Sequence, residues 1–214
     1  KIYNGRLPKK TTLSFHTIEV ENFIPKKDEA KQSDFSTIIW MESLGNVYRK
    51  GADKALEVFK YLSQKNEFAS SNFYIIGKEG EGSKYLRKIC MELNIQEKVF
   101  FTGSIEEEDK IRILKNSKYY FQLSSFEGFG IAALEALAAK NIVIHTGKGG
   151  LKDTIKDFGI IINLNSDIEK QIETVYKQLI NFEVGKLDIA QRYIIDNFSN
   201  IKRKNDFGKY LHPM

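Results

Sequence analysis

The hydrophobic positions of this chain fall into short apolar runs that begin near Ser36 and are separated by amphipathic stretches. Six runs are rich in β-branched and aromatic residues and lack strict alternation of apolar and polar positions: STIIWM (36–41), FYIIG (73–77), VFFTG (99–103), YYFQL (119–123), IVIHT (142–146) and GIIINL (159–164). Continuous apolar runs of this length are typical of strands that are buried on both faces of a parallel sheet. The pattern therefore predicts six strands.

Helical periodicity fills the intervals between these strands. The segment 51–65 is the clearest helix, and Ser104 followed by Glu107 predicts a capping box that opens a helix over 105–116. After Asn165 the pattern is wholly helical, at about 167–182 and 188–198. This alternation indicates an α/β fold, namely a single Rossmann-like domain with a parallel, doubly wound sheet of roughly six strands plus C-terminal helices.

Composition and length agree with one folded domain. The chain has 214 residues, of which 42% are apolar and 29% charged, and only three are proline. We interpret 1–35 as a linker or interdomain segment, 36–198 as the domain and 199–214 as a C-terminal tail. The single Cys90 excludes an internal disulfide, and without a CxxC pair or a histidine cluster we expect no metal site. The single cysteine indicates a reducing compartment, so we expect a cytoplasmic protein, and without an apolar run of 18 residues we expect no membrane span.

The net charge of +5 has two interpretations that the sequence leaves open. Basic clusters at Lys9–Lys10 and at 202–204 either solubilise the surface or form a face that meets an anionic membrane or substrate. The second interpretation would place the protein at the periphery of the inner membrane face. We expect no nucleic-acid partner, because the lysines are dispersed and no basic stripe is interleaved with aromatic residues.

The loop SSFEGFG, which follows the fourth predicted strand, carries the main candidate chemistry. In open α/β sheets, ligands bind at the carboxyl ends of the strands, near helix N-termini. Gly128 and Gly130 allow the backbone to approach a ligand closely. The helix that begins near Gly130 offers unpaired N–H groups and a partial positive charge, so the expected guest is an anion such as phosphate.

Two glutamates flank this helix start. The helix 130–139 is apolar on nearly every side, so the carboxylate of Glu135 is costly to bury unless it finds a partner. Glu127 lies eight residues earlier, which corresponds to roughly 12 Å of helical rise. The two carboxylates would then hold the two ends of an elongated ligand such as a nucleotide-sugar. The alternative is that Glu127 only complements the helix dipole while Glu135 pairs with a nearby lysine.

At this point the sequence resembles a known family. SSFEGFGIAALEALA resembles the E-x7-E signature of retaining GT-B glycosyltransferases, in particular family 4 (glycosyl transferases group 1), in their C-terminal donor-binding domain. Four further segments resemble that domain in the same order: YRKGADKALEVF, FYIIGKEGEG, KVFFTGSIEEEDKIRILKNSKYYFQLSS and IVIHTGKGGLKDTI. The resemblance covers about residues 36–198. It implies one half of a GT-B fold, and a hexose transferred from a nucleoside-diphosphate sugar to a glycan or lipid-linked acceptor.

The resemblance also implies a role for each residue of the signature. Glu127 would be the catalytic residue that holds hydroxyls of the donor sugar, and Glu135 would hold the ribose. The backbone of Gly128, Phe129 and Gly130 would approach the sugar and the phosphates. The family's reaction implies neither a metal nor a cofactor beyond the nucleotide-sugar itself.

Lys50 corresponds to the family's KG motif and would contact the diphosphate. A separate argument supports this, because Arg49 and Lys50 precede the helix 51–65, whose N-terminus disfavours a cation unless an anion binds. The chain departs from the family before this motif: WMESLGNVY contains no arginine, so we expect Arg49 to supplement the grip on the diphosphate. The alternative for this pair is a solvated basic loop.

Only one α/β domain is visible, whereas a GT-B enzyme has two. We therefore expect an isolated donor-binding domain, a fragment that lacks its N-terminal acceptor domain and is inactive or weakly active alone. A natural single-domain protein that works with a separate partner chain is the alternative. A different functional class is a non-catalytic GT-B-like module that binds an anionic ligand or a partner protein. His145 lies near the end of the fifth predicted strand, where we expect packing rather than catalysis.

Overall fold

The computed structural model describes residues 16–25 and 31–211, with only the main chain from 206 to 211. The pair Lys9–Lys10 and parts of the segments interpreted as linker and tail lie outside the described residues. Within the described ranges, no helix is both long enough and apolar enough to cross a membrane.

A sheet of six parallel strands forms the centre of the domain, as predicted. Its strand order is β3-β2-β1-β4-β5-β6. The strands are β1 (Gln32–Ile38), β2 (Phe73–Ile76), β3 (Val99–Gly103), β4 (Ser117–Gln122), β5 (Ile142–His145) and β6 (Ile160–Ile161). The chain runs outward to one edge from β1 and to the other edge from β4, so the topological switch point lies between these two strands. Ligands of open α/β sheets bind at the carboxyl end of this point.

Helices cover both faces of the sheet. They are α1 (Val20–Phe23), α2 (Leu44–Lys50), α3 (Ala52–Leu62), α4 (Glu81–Glu92), α5 (Glu107–Asn116), α6 (Ile131–Ala138), α7 (Leu151–Ile155), α8 (Ile168–Ile180), α9 (Gly185–Phe198) and α10 (Asn200–Leu211). One core packs α2, α3, α4 and α8 against the sheet, and the other packs α1, α5, α6, α7 and α9. Strand residues contribute to both cores, which explains why their apolar runs do not alternate with polar positions.

The first strand begins earlier than predicted. β1 starts at Gln32 rather than Ser36, through a polar stretch that carries no strand signal. Asp34 is buried there, and its carboxylate accepts a hydrogen bond from the Asn72 N–H (2.7 Å). The hydroxyl of Ser71 donates to the Ser33 carbonyl oxygen (2.5 Å). Polar partners on the loop before β2 therefore stabilise a strand start that hydrophobicity does not reveal.

The segment interpreted as a linker is partly packed against the domain. Ile18, Val20 and Phe23 are buried in the second core, and the Ile18 N–H donates to the Phe198 carbonyl oxygen (2.9 Å). The segment interpreted as a C-terminal tail forms α10. Ile18, Val20 and Phe23 therefore mark packing that the average polarity of the predicted linker concealed.

Two helix predictions were wrong in detail. The capping box does not form: α5 begins at Glu107, its N-cap residue is Glu106, and no side chain caps it. A helix that was not predicted, α2, precedes α3. Ser43 caps α2 by accepting a hydrogen bond from the Asn46 N–H (3.3 Å). Gly51, at φ +66°, ends α2 and begins α3, a conformation that favours glycine.

Candidate functional site

A cavity of about 450 Å³ opens at the carboxyl ends of β1 and β4. Its lining comes from the end of β1, from α2 and α5, from the end of β4 and the loop after it, and from α6: Ile38, Trp40, Asn46, Arg49, Lys50, Lys110, Gln122, Glu127, Phe129, Gly130, Ile131, Ala132 and Glu135. Every site residue predicted from the sequence except Gly128 is in this lining. Gly128 is exposed on the same loop.

The neighbouring Gly-Gly turn holds the loop that carries Glu127. The Gly150 N–H donates to the Glu127 carbonyl oxygen (2.8 Å), and the Thr154 hydroxyl donates to the Phe129 carbonyl oxygen (3.0 Å). A Cβ on Gly149, whose φ is +61°, would lie 2.2 Å from the Glu127 carbonyl oxygen. Only glycine fits so close an approach in that conformation. The turn after β5 therefore fixes the backbone on which Glu127 stands.

Glu127 is held by three donors that converge on one of its oxygens. Its Oε2 accepts hydrogen bonds from Lys50 Nζ (2.5 Å), Gln122 Nε2 (3.1 Å) and Ser124 Oγ (3.2 Å). No residue in the described ranges donates to its Oε1. The side chain is 15% exposed, so this second oxygen is the one available to a ligand in the cavity.

Glu135 is held by a single lysine. Lys110 Nζ lies 3.1 Å from each carboxylate oxygen of Glu135 and 2.7 Å from Glu107 Oε1. Burial raises the pKa of Glu135, and the ammonium of Lys110 opposes this rise. The pairing of Glu135 with a lysine is therefore observed, as the alternative interpretation expected, although Glu135 still lines the same cavity as Glu127.

The predicted separation of the two glutamates was wrong. Glu127 lies in the loop before α6, which begins at Ile131, so the rise of roughly 12 Å along one helix does not apply. Glu135 lies four residues after the helix start, about 6 Å along the axis. The two carboxylates therefore flank the N-terminus of α6, one on its loop side and the other one turn into the helix.

The start of α6 supplies backbone donors to the cavity. Gly130 is the N-cap residue at φ +84°, and its carbonyl oxygen accepts the N–H groups of Ala133 (3.0 Å) and Leu134 (3.1 Å). The first N–H groups of a helix have no intrahelical acceptor and carry a partial positive charge. Because Gly130, Ile131 and Ala132 line the cavity, this end of α6 suits an anionic group.

The dipole argument for Arg49 and Lys50 was wrong. Both residues lie in the last turn of α2, where the helix dipole favours cations, and not in the first turn of a helix. Lys50 forms the ion pair with Glu127, whereas Arg49 is exposed at the edge of the cavity. The carbonyl oxygen of Arg49 accepts the Ser125 N–H (2.8 Å) and so ties the end of α2 to the loop after β4.

Sequence reasoning missed Lys110, Trp40, Asn46 and Gln122. Trp40 was assigned to a strand but follows β1, and it is 67% exposed. Lys110 belongs to a helix with many charged residues, where nothing in the sequence separates it from solvent-facing lysines. Lys110 lies in the first turn of α5, close to the predicted capping box, but only the fold shows that this turn faces α6.

A second cavity of about 340 Å³ adjoins the first. It extends past the carboxyl ends of β2 and β3, where Gly77 and Ser104 line it, and it shares Ile38, Trp40 and Lys110 with the first cavity. Because they share these lining residues, the two cavities form one trough along the carboxyl ends of the strands. A separate cavity of about 650 Å³ lies beside β6, where Lys156, Lys177 and Lys186 contribute to its lining.

His145 packs inside the domain, as predicted. Its side chain is fully buried, and its Nδ1 accepts the Gly147 N–H (3.2 Å). Its Nε2 has no partner among the described residues, and burial lowers the pKa of the imidazole to about 4. His145 does not line the cavity. In the part of the chain that the structure covers, no group of three His, Cys, Asp or Glu residues could hold a metal.

Comparisons with known proteins identify a family and match this fold. A family model described as "Glycosyl transferases group 1" matches residues 24–183. The chain is 28% identical over 155 residues to "Uncharacterized glycosyltransferase MJ1607" of Methanocaldococcus jannaschii, covering 72% of this chain and 38% of that protein. It is 25% identical over 148 residues to the "Phosphatidylinositol N-acetylglucosaminyltransferase gpi3 subunit" of Schizosaccharomyces pombe, covering 69% and 31%. The chain thus spans about a third of the length of these curated relatives.

A solved structure shares the fold. The Anabaena protein Alr3699/HepE, crystallised in complex with UDP, superposes with a TM-score of 0.74 at 12% identity. The superposition covers 94% of this chain and 57% of that one. At this level of identity the likeness concerns the fold alone.

Proposed function

The chain belongs to the glycosyl transferases group 1 family, and we propose that it binds the nucleoside-diphosphate sugar of a retaining glycosyltransferase. One observation carries the proposal: Glu127 and Glu135 line a single cavity on either side of the α6 N-terminus. The diphosphate lies against the first amides of α6, the ribose hydroxyls bind Glu135, and the sugar hydroxyls bind Glu127. Carboxylates are strong acceptors for paired hydroxyls.

The cations of the cavity complete this arrangement. Lys50 and Arg49 lie beside the α6 N-terminus, where they neutralise the diphosphate as it leaves. Lys50 then exchanges its bond to Glu127 Oε2 for a bond to phosphate, and Arg49 supplies the charge that the missing upstream arginine would have carried. Glu127 keeps Gln122 and Ser124 as donors, and it positions the sugar rather than attacking it. The reaction needs no metal in this proposal.

The acceptor binds outside this chain. We infer that the chain is the donor-binding half of a longer enzyme, which transfers a hexosyl group to a glycan or a lipid-linked acceptor at the membrane surface. Two findings support this: the chain spans only 38% and 31% of the two relatives named above, and the name of the Schizosaccharomyces pombe relative specifies phosphatidylinositol. The chain alone is then expected to bind donor without sustained turnover.

A non-catalytic module is the second candidate function. The observation in its favour is that both glutamates already have lysine partners within the chain, Lys50 and Lys110. In this alternative the pairs only stabilise the fold, and the chain binds an anion or a partner protein without a sugar.

Thermal stabilisation by nucleoside diphosphates separates the two candidates. A donor-binding domain gains thermal stability in UDP or GDP, since a ligand that binds only the folded state stabilises it. The gain should disappear in Glu135→Ala and persist in Glu57→Ala, a matched control in an exposed ion pair on α3. Stabilisation by neither nucleotide would favour the module.

A further inference from the structure

We propose that Lys110 is a positioning residue that keeps the carboxylate of Glu135 ionised and aimed at the ribose hydroxyls of the donor. This inference rests on the proposed function for the ligand, but the contacts that carry it are independent of that function. Lys110 Nζ lies 3.1 Å from both Glu135 oxygens, and its side chain is 17% exposed. Lys110 also lines both cavities of the trough, at the point where they join.

Glu135 needs such a partner because its helix is otherwise apolar. The side chain of Glu135 is 12% exposed, and its neighbours in α6 are alanine and leucine. A buried carboxyl group without a cation takes up a proton, because burial disfavours the charged form. A protonated carboxyl group has one O–H donor and a weaker acceptor, so it holds two adjacent hydroxyl donors less strongly than a carboxylate does. The charge on Glu135 therefore strengthens the binding of a diol.

The other groups around Glu135 do not supply this charge. Glu107, on α5, raises the pKa of Glu135 by repulsion, and Tyr120 of β4 is neutral and fully buried. From α1, the uncharged ring of Phe23 lies 5.4 Å from Lys110 Nζ. Among the described residues of α7, α9 and β5, no charged group has a contact with Glu135. Within the described part of the chain, Lys110 is the cation that offsets the burial of this carboxylate.

Glu107 fixes the lysine in turn. Burial lowers the pKa of Lys110, but its hydrogen bonds and its attraction to Glu107 and Glu135 outweigh this, so the pKa is raised overall. Lys110 therefore stays charged in the pH range in which Glu135 must stay charged. Its position between two carboxylates leaves the remaining lone pairs of Glu135 for hydroxyls in the cavity. A lysine that competed with the ribose would have the opposite effect on affinity.

The test combines a titration with a binding measurement. The Glu135 carboxyl group is titrated by side-chain carbon-13 NMR in the parent chain and in Lys110→Met, Lys110→Arg and Lys54→Met. UDP and GDP affinities of the same proteins are measured by calorimetry over a pH range that extends to either side of the Glu135 midpoint in Lys110→Met. Lys54→Met is the matched control, because Lys54 forms an exposed ion pair with Glu57 on α3. If Lys110→Met does not fold, Lys110→Gln replaces it.

We expect the Glu135 midpoint in Lys110→Met to rise by at least about one pH unit. In Lys110→Met, nucleotide affinity should fall about tenfold at one pH unit below the new Glu135 midpoint, and the deficit should shrink to less than about threefold at one pH unit above it. Lys110→Arg should restore both values, and Lys54→Met should change neither. A structural role alone would give a deficit that does not depend on pH.

Two results would overturn the inference, and a third would refute the proposed function instead. An unchanged Glu135 midpoint in Lys110→Met overturns the inference, whatever the affinity. A higher affinity in that variant also overturns it and shows that Lys110 competes with the ligand. A raised midpoint, together with a parent chain that binds neither nucleotide, confirms that Lys110 holds the charge and refutes the proposed function instead.

Discussion

The two glutamates of the cavity are held in opposite ways. Glu127 stands on a loop that a second loop braces, and three donors converge on one of its oxygens. Glu135 stands on a buried apolar helix, and one lysine serves both of its oxygens. Three side-chain donors and a braced loop position the first carboxylate, whereas a buried helix and Lys110 position the second. Substitutions around Glu127 should therefore cost stability, and substitutions around Glu135 should cost binding.

The strongest test of this contrast is the turn that braces the loop. Gly149→Val places a β-branched side chain at a positive φ and against the Glu127 carbonyl oxygen, so the free energy of unfolding should fall by about 4 kcal/mol. Gly128→Ala is the control, since nothing lies within 4 Å of its Cβ position, and it should cost less than about 0.5 kcal/mol. Chemical denaturation measures both. Equal losses would mean that the brace is unimportant.

The next largest effect is the pH dependence of the free energy of unfolding that comes from His145, the last residue of β5, which leads into this turn. Since the pKa of His145 is about 4 in the folded state against an ordinary 6.5, the unfolded chain binds the additional proton between these values. The buried, neutral His145 contributes its full stabilisation above pH 6.5. About 3 kcal/mol of the free energy of unfolding is then lost as the pH falls towards 4. Protonation also removes the acceptor of the Gly147 N–H.

His145→Asn keeps an acceptor near Gly147 but does not titrate. Its unfolding free energy, measured by urea denaturation from pH 7 to pH 4, should fall less steeply than that of the parent chain. The difference isolates His145 from the carboxylates, which titrate in both proteins. Parallel curves would show that His145 is not buried in its neutral form.

A smaller loss is expected when Glu127 itself is replaced. Glu127→Leu leaves Gln122 and Ser124, which are both buried, without their common acceptor, and it leaves Lys50 without its partner. The free energy of unfolding should fall by about 2 kcal/mol, whereas Glu127→Gln retains an amide oxygen and should cost about half as much. Thermal denaturation without ligand measures both variants. A more stable Glu127→Leu would contradict the network described above.

The smallest change in stability is expected at Glu135. Glu135→Leu removes a buried carboxylate from an apolar helix, while Lys110 keeps Glu107 as its partner, so stability should stay within about 1 kcal/mol of the parent chain. Nucleotide binding should nevertheless be lost, which calorimetry with UDP and GDP would show. A variant that binds either nucleotide as tightly as the parent chain would separate Glu135 from the ribose.

The sequence predicted the parts of this molecule that depend on local patterns. The apolar runs located five of the six strands to within two residues at their N-terminal ends, and the glycine-flanked SSFEGFG loop lies at the cavity. The start of β1 was missed, because Asp34 is stabilised by Asn72, a partner from a distant part of the chain. Burial of apolar residues can be predicted from a local sequence pattern, whereas a polar partner that comes from a distant part of the chain cannot.

The partners of the glutamates could not be predicted for the same reason. Lys110 and Glu135 meet because α5 and α6 lie side by side, and no spacing in the sequence encodes that contact. Arg49 and Lys50 were predicted to lie at the start of a helix. The sequence did not show that Gly51 ends one helix, α2, and begins the next, α3, so both residues lie in the last turn of α2. The resemblance to a family identified the loop, but the charges that surround it required the fold.

The most direct test of the central claim is a crystal structure of the chain soaked with UDP-glucose and, separately, with GDP-mannose. We predict the pyrophosphate against the amides that open α6, with the ribose hydroxyls on Glu135 and the sugar hydroxyls on Glu127. A nucleotide bound instead beside β6, or a pyrophosphate away from α6 with either glutamate still paired only to its lysine, would contradict the account.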